Sequence, residues 1–353
     1  HATLDTFLGW RVVFKAMRDW VHIRRTGIKF QHRAAAECSS AINLWPLFKD
    51  EWCRSFAGRE ALSNLLDVNL FELALKTLPA QRVGVYLHEN QGWEFALINA
   101  WRLAGHKRLI GTAHSTVRFW DLRYFFDQRS YVRAGNNDLP LPDNVAINGA
   151  AMMEAYLAGG YHRSELVEVE ALRYLHLAET TGDKDTTLNA LKPSISLLVA
   201  GDFLPINTQL QMRLLEEALQ MLPGNTIIIV KSHPLCPIYT EDYPSLDMEV
   251  SVESIATLLK SSDVVYAGSM TSAAVDAYCV GVPVVCALDP NTLNLSPLRG
   301  RLGTLFASTP EELASKLISA AGAQPFAVKR EEFFILDRKL PRWRALLLDS
   351  PAL

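Results

Sequence analysis

Short apolar runs rich in β-branched residues alternate with helix-period segments along most of this chain. That rhythm predicts βαβ units in a parallel sheet covered on both faces. In the first half, strands are expected over 82–87, 108–113, 144–147 and 166–169, with helices over 92–103 and 151–158. Ahead of them the chain reads as helix, because Phe56, Leu62, Leu65, Leu66, Leu70 and Leu73 recur at spacings of three and four up to Pro79. The second half has strands expected over 194–200, 226–230, 264–267 and 283–287, and helices over 208–221, 252–260, 272–280 and 310–320. Residues 178–193 are polar and aperiodic, which suits a linker. The expectation is two α/β domains, 1–180 with a helical N-terminal part and 194–325. A last segment, 326–353, carries a helix over about 338–348 that returns to the first domain.

Composition narrows the class. A chain of 353 residues is too long for one ordinary domain, and 49% hydrophobic with 21% charged residues is typical of a soluble globular protein. A net charge of −3 gives no bias toward nucleic acid. The five cysteines are scattered without a C-x-x-C pair, and Cys279 and Cys286 sit in apolar runs, as reduced core residues of a cytoplasmic protein do. No run approaches the ~18 apolar residues of a membrane span, no signal peptide is visible, and a chain that opens on His1 reads as a piece of something longer. Residues 1–33 hold seven Lys/Arg against two Asp, interleaved with Trp10, Phe14, Trp20 and Ile23. Such a helix can lie on an anionic membrane surface, giving a peripheral inner-membrane association, or can be an ordinary surface helix docked on the fold.

The candidate chemistry gathers where strands end, since ligands of parallel sheets bind beyond the carboxyl ends. Gly201 and Asp202 close one strand, Lys231-Ser232-His233-Pro234 follows the next, and Gly268-Ser269-Met270-Thr271-Ser272 joins a third to a helix. A small, hydroxyl-rich turn opening a helix presents free N–H groups and the positive end of the helix dipole, which suits a phosphate; it also suits a plain N-cap. Asp276 lies one turn after Ser272 on the same face and can orient these groups. His233, set in its turn by Pro234, can donate to a phosphate or protonate a leaving phosphate oxygen, with Lys231 adding charge.

The His-Pro after one strand, the Ser/Thr turn after the next and Gly281-Val-Pro-Val-Val285 resemble the C-terminal domain of GT-B glycosyltransferases. More narrowly they resemble the motifs of cytidine-nucleotide users: bacterial sialyltransferases, Kdo transferases and CDP-glycerol glycerophosphotransferases. The stretches His88–Glu94 and Leu336–Trp343 look like a bacterial surface-carbohydrate (capsule or O-antigen) biosynthesis family. The resemblance covers most of residues 82–345. It implies two Rossmann-like domains facing across a cleft, with His233 and the Ser269–Ser272 turn on the nucleotide phosphate. This chain has Ser-Met-Thr-Ser where the family pattern has adjacent serines.

In that scheme the first domain holds the acceptor, and transfer needs a base or a carboxylate nucleophile. Glu89 is the first choice and His114 the second, each just past a strand end, and Asp121 the third; Asn90, Gln91 and Glu94 would serve acceptor or sugar hydroxyls, with Arg118 and Asp121 also on the acceptor. Glu89-Asn90 reads equally as a polar turn with Asn90 as N-cap. The aromatic and Arg cluster from Arg118 to Arg133 can stack on sugar rings or pack as a lobe. Asp183-Lys-Asp185 matches the metal-binding Asp-x-Asp of other transferases but sits in the expected linker, and no His/Cys/carboxylate set has metal-ligand spacing. The expectation is therefore a metal-independent transferase without a cofactor. Its co-substrate is a nucleotide sugar, a CMP-linked Kdo or other nonulosonate, and its acceptor a glycan or lipid-linked glycan. A CDP-glycerol-type alditol phosphotransferase and a non-catalytic GT-B-like scaffold subunit are the alternatives.

Overall fold

The computed structural model describes residues 2–39, 42–127, 139–178, 194–323 and 330–348. The expected linker beyond Ala178, with Asp183 and Asp185, and the end of the aromatic cluster at Arg133 lie outside them. The chain forms two compact units, 1–112 with 126–145, and 113–125 with 146–353.

The first unit opens on helices α1 (Trp10–Glu37), α2 (Trp45–Ala57) and α3 (Arg59–Lys76). The helical stretch expected over 34–80 is thus the end of α1 and two further helices, interrupted after Glu37 and again at Gly58, whose N–H closes α2 on Cys53 and Arg54. Gly27 of α1 lets Phe56 of α2 approach so closely that a Cβ there would stand 2.5 Å from the Phe56 Cβ. Strand β1 (Val83–Leu87), helix α4 (Gly92–Leu103) and strand β2 (Arg108–Thr112) follow. β1 and β2 pair in parallel, Val83 opposite Arg108 and Leu87 opposite Thr112. With β3 (Asn144–Ile147) and β4 (Leu166–Glu168) they make a four-stranded sheet in the order β1-β2-β3-β4. Gly111 leaves room for the ring of His88, whose Cδ2 lies 2.8 Å from where a Cβ would be. Burial lowers the His88 imidazole to about 4, so it is neutral at physiological pH.

The second unit is built on a six-stranded sheet in the order β10-β9-β8-β5-β6-β7. Its strands are β5 (Ser196–Ala200), β6 (Ile227–Lys231), β7 (Met248–Val250), β8 (Val264–Gly268), β9 (Val284–Ala287) and β10 (Thr304–Ala307), paired in parallel throughout. Alternate residues feed opposite faces. Leu197, Val199, Val264, Tyr266 and Val285 pack under helices α6 (Pro205–Ala218) and α9 (Pro310–Ala321). Leu198, Ala200, Val265, Ala267, Val284 and Cys286 pack under α8 (Ser272–Cys279) and Phe334. Both faces are covered, so the strands read as unbroken apolar runs rather than alternating ones. The two edge strands, β7 and β10, are additions to the expected set; each is short and partly exposed.

The remaining helices are α5 (Ala150–Ala158), α7 (Ile255–Ser261), α10 (Arg330–Phe333) and α11 (Pro341–Leu348). Buried Glu170 caps α11, its carboxylate accepting from the N–H groups of Arg342 (3.0 Å) and Trp343 (3.1 Å). Tyr174 stacks on Phe334 at 3.8 Å between ring centroids.

Candidate functional site

Because β8, β5 and β6 are neighbours, the three segments singled out by their chemistry end side by side. Ala200 is in register with Lys231 on one side and Ala267 on the other. The chain leaves β5 toward β6 and later returns to its other side with β8, so the order reverses between β5 and β8, the place where open parallel sheets bind ligands.

The turn after β8 divides its hydroxyls by role. Thr271 is buried and caps α8, accepting from the Ala273 N–H at 3.4 Å. Ser269 and Ser272 are half-exposed and their hydroxyls make no hydrogen bond to a described residue. The backbone N–H groups of Ser269, Met270 and Ser272 likewise donate to no described group. Three free N–H groups, two free hydroxyls and a helix N-terminus form an anion-binding concavity. Met270 supplies a further contact, its sulfur accepting from a guanidinium nitrogen of Arg118 at 3.5 Å. Arg118, expected on acceptor, therefore stands beside the phosphate-type turn.

His233 is half-buried after β6, 6.2 Å from the Phe203 ring. The Leu235 N–H donates to its Nδ1 at 3.2 Å, which places the ring proton on Nε2 as a donor. Ser232 is used locally, its Oγ accepting from the Ile238 N–H, and Lys231 reaches Val252 O at 3.0 Å. Pro234 is exposed in the same turn. Gly201 lets the two turns approach: a Cβ there would lie 3.3 Å from the backbone nitrogen of His233.

Two buried carboxylates underlie this surface. Asp202 is fully buried; its Oδ1 accepts from the Leu204 N–H at 2.9 Å, while its Oδ2 has no partner among the described residues. It packs against Gly268, where a Cβ would stand 2.4 Å from Oδ2. Gly268→Ala is expected to displace Asp202 and cost about 1–3 kcal/mol, as overpacking does, read as a lower melting temperature. An unchanged melting temperature would show that Asp202 moves without penalty. Asp276 on α8 is buried, its Oδ1 has no partner among the described residues, and burial pushes its carboxyl up to about 7 against the opposing pull of Arg173.

Glu89 and His114 each lie two positions past the paired Leu87 and Thr112, half-buried. Asn90 takes a left-handed backbone (φ 56°), and Gln91, not Asn90, is the N-cap of α4. Gln91 and Glu94 complete a capping box, in which Glu94 Oε1 accepts from the N–H groups of Glu89 (2.8 Å) and Gln91 (2.9 Å). Burial raises the Glu94 carboxyl despite those bonds. Burial would also raise Asp121, but the hydrogen bonds and charge of Arg123, with Arg118, hold it below the ordinary range. Both Asp121 oxygens are engaged by Arg123, at 2.9 and 2.7 Å.

A cavity of about 520 Å³ lies within the second unit, lined by Arg118, Phe119, Trp120, Ser296, Arg299 and Phe333 among others. Phe119 and Trp120 stack at 5.6 Å, and the Arg299 guanidinium sits 4.3 Å over Phe119. Trp120 holds a left-handed backbone (φ 53°), strain of the kind that gathers at ligand clamps. The aromatic cluster thus divides: Phe119 and Trp120 face the cavity, while Tyr124 is buried against Tyr156 at 4.8 Å. Sequence reasoning missed the Arg299 and Arg301 wall; its signal was Pro297-Leu-Arg-Gly-Arg301, a basic pair beyond the end of β9. Among the described residues no group of three or more His, Cys, Asp or Glu is arranged to hold a metal ion.

The sequence matches no protein-family model, and no curated protein matches it. Among solved structures the fold is similar to UDP-GlcNAc 2-epimerase from Methanocaldococcus jannaschii, with a TM-score of 0.52 and 11% identity over 84% of each chain. It is also similar to a Listeria monocytogenes protein assigned as a UDP-N-acetylglucosamine 2-epimerase, with a TM-score of 0.51 and 14% identity over 87% of each chain. The expected α/β fold of GT-B type, with two parallel-sheet domains, is borne out. At these identities the likeness speaks of fold alone.

Proposed function

We propose that this protein is a metal-independent glycosyltransferase whose second unit binds the nucleotide of a sugar donor. The observation that supports the reading is the anion-binding turn of Ser269 and Ser272 after β8, at the reversal of strand order between β8 and β5, with His233 following β6 on the other side of β5. A donor phosphate would accept from the three free N–H groups and from His233 Nε2. As the acceptor oxygen attacks the anomeric carbon, the bond from that carbon to the phosphate oxygen breaks, and the nucleotide leaves as an anion stabilised by these donors. Glu89 would take the acceptor proton. Arg118 would add charge at the phosphate, and the Phe119–Trp120 wall would stack on a sugar ring. The donor is taken to be CMP-linked Kdo or another nonulosonate, on the His-Pro and Ser/Thr motifs, and the acceptor a surface glycan, free or lipid-linked.

The structural neighbours favour a second reading, in which the same turn holds UDP and the chemistry occurs at C2 of an N-acetylhexosamine. A thermal-shift series with CMP, CDP, UDP, GDP and ADP separates them. At a hundredfold excess over Kd a ligand specific for the native state adds about 2.7 kcal/mol, a rise of several degrees. CMP is expected to give the largest shift, and His233→Ala to abolish it with little change in the unliganded melting temperature. A shift with UDP alone would replace the transferase by the epimerase reading. A preference for CDP would favour an alditol phosphotransferase, and no shift with any nucleotide would favour the scaffold subunit.

A further inference from the structure

Helix α1 has two apolar faces, and the fold uses only one. Val12, Ala16 and Gly27 are buried, on a line that also holds Trp20 and Ile23. At 100° per residue, Trp10, Phe14, Met17, Val21 and Ile28 fall together on a second face, centred about 130° around the helix from the first. All five are exposed, from 39% for Val21 to 79% for Trp10. A second apolar stripe on a helix already docked by its first has no role in the core of this unit.

Charge indicates what the stripe meets. Arg11, Arg18, Arg25 and Lys29 line one flank and Arg24 the other, while Asp19 lies toward the docked face and Glu37 at the far end. Lys15, Arg18 and Arg33 are paired with Glu72, Asp19 and Glu37. Arg11, Arg25 and Lys29 have no carboxylate partner among the described residues, and Arg24 lies over Trp20. No acidic residue faces outward along the stripe, whose span from Trp10 to Ile28 is about 27 Å. An exposed row of large apolar groups, with an aromatic anchor at one end and unpaired cations beside it, is the arrangement that settles at the boundary between anionic headgroups and acyl chains. We infer that the outer stripe of α1 is the surface by which this protein lies on an anionic lipid bilayer. The inference stands on α1 alone and is independent of the nucleotide reading.

Co-sedimentation with vesicles tests it, comparing pure phosphatidylcholine with mixtures containing phosphatidylglycerol. The protein is expected to bind the anionic vesicles, to release as salt is raised, and to lose binding in Phe14→Glu. Arg25→Gln should weaken binding about fivefold, the usual effect of one basic residue at such a surface. Ile318→Glu, which alters an exposed apolar residue on α9, should bind as the parent does. Circular dichroism and an unchanged melting temperature would show that the variants fold. Failure to bind anionic vesicles overturns the inference, as does binding that Phe14→Glu leaves intact. A dimer in light scattering that Phe14→Glu dissociates, without vesicle binding, overturns it in favour of a second copy of this chain.

Discussion

Asp276→Asn is expected to stabilise the second unit by about 4 kcal/mol at pH 8 and to leave it unchanged near pH 4. The Asp276 carboxyl is buried, its Oδ1 has no partner among the described residues, and burial raises it from 3.8 to about 7. Between those values the folded protein keeps a proton that the unfolded chain has released. Stability therefore falls as pH rises through this interval, by about 1.4 kcal/mol per pH unit, and the loss is complete above about 7. Asparagine carries no charge to desolvate, so the variant lacks this slope. Denaturant melts of both proteins from pH 4 to 8 measure it, and parallel curves across the range would refute the assignment. His88, in the other unit, acts in the opposite sense. Its imidazole is lowered from 6.5 to about 4, so the unfolded chain binds the extra proton and stability is lost as pH falls through that interval. If the units melt together the two slopes largely cancel between pH 4 and 6.5; if they melt separately each appears in its own transition. The proximity of Asp276 to the turn of Ser269 and Ser272 adds a functional reading, since a gain in stability accompanied by a loss of turnover marks a strained site residue.

Glu89→Gln is expected to lower kcat by about 10²–10⁴-fold while leaving the nucleotide-induced thermal shift intact. Glutamine preserves the shape and one acceptor oxygen but cannot take the acceptor proton. The backbone that carries Glu89 is held by the buried carboxylate of Glu94, which accepts from the N–H groups of Glu89 and Gln91, so the substitution leaves the turn in place. Full turnover in Glu89→Ala with donor binding retained would remove Glu89 from the chemistry and pass the role to His114. Loss of the thermal shift in Glu89→Gln would instead mean that the residue acts in binding.

The parts of the fold legible in the sequence were those encoded locally. The strands over 144–147, 264–267 and 283–287 and the helix over 92–103 were found almost to the residue, because their apolar period and turn residues need no distant partner to be recognised. Edge strands β7 and β10 were not, since strands of three and four residues, partly exposed, are too short to show a period. The start of α6 was placed three residues late: Pro205 reads as a breaker, yet at the first helical position it is well suited to open one.

The sequence by itself determined the βα rhythm, the apolar faces that cover both sides of the six-stranded sheet, and the polar turns that close β5, β6 and β8. The tertiary structure decided what those turns can do. Packing committed Thr271 to the helix cap and left Ser269 and Ser272 open. It brought Arg118 to Met270 from 152 residues away. It also pressed Asp202 against Gly268 and buried Asp276 deeply enough to move its proton affinity. The division follows from range: periodicity and capping are properties of neighbouring residues, whereas desolvation and long-range pairing depend on which distant groups come to cover a side chain.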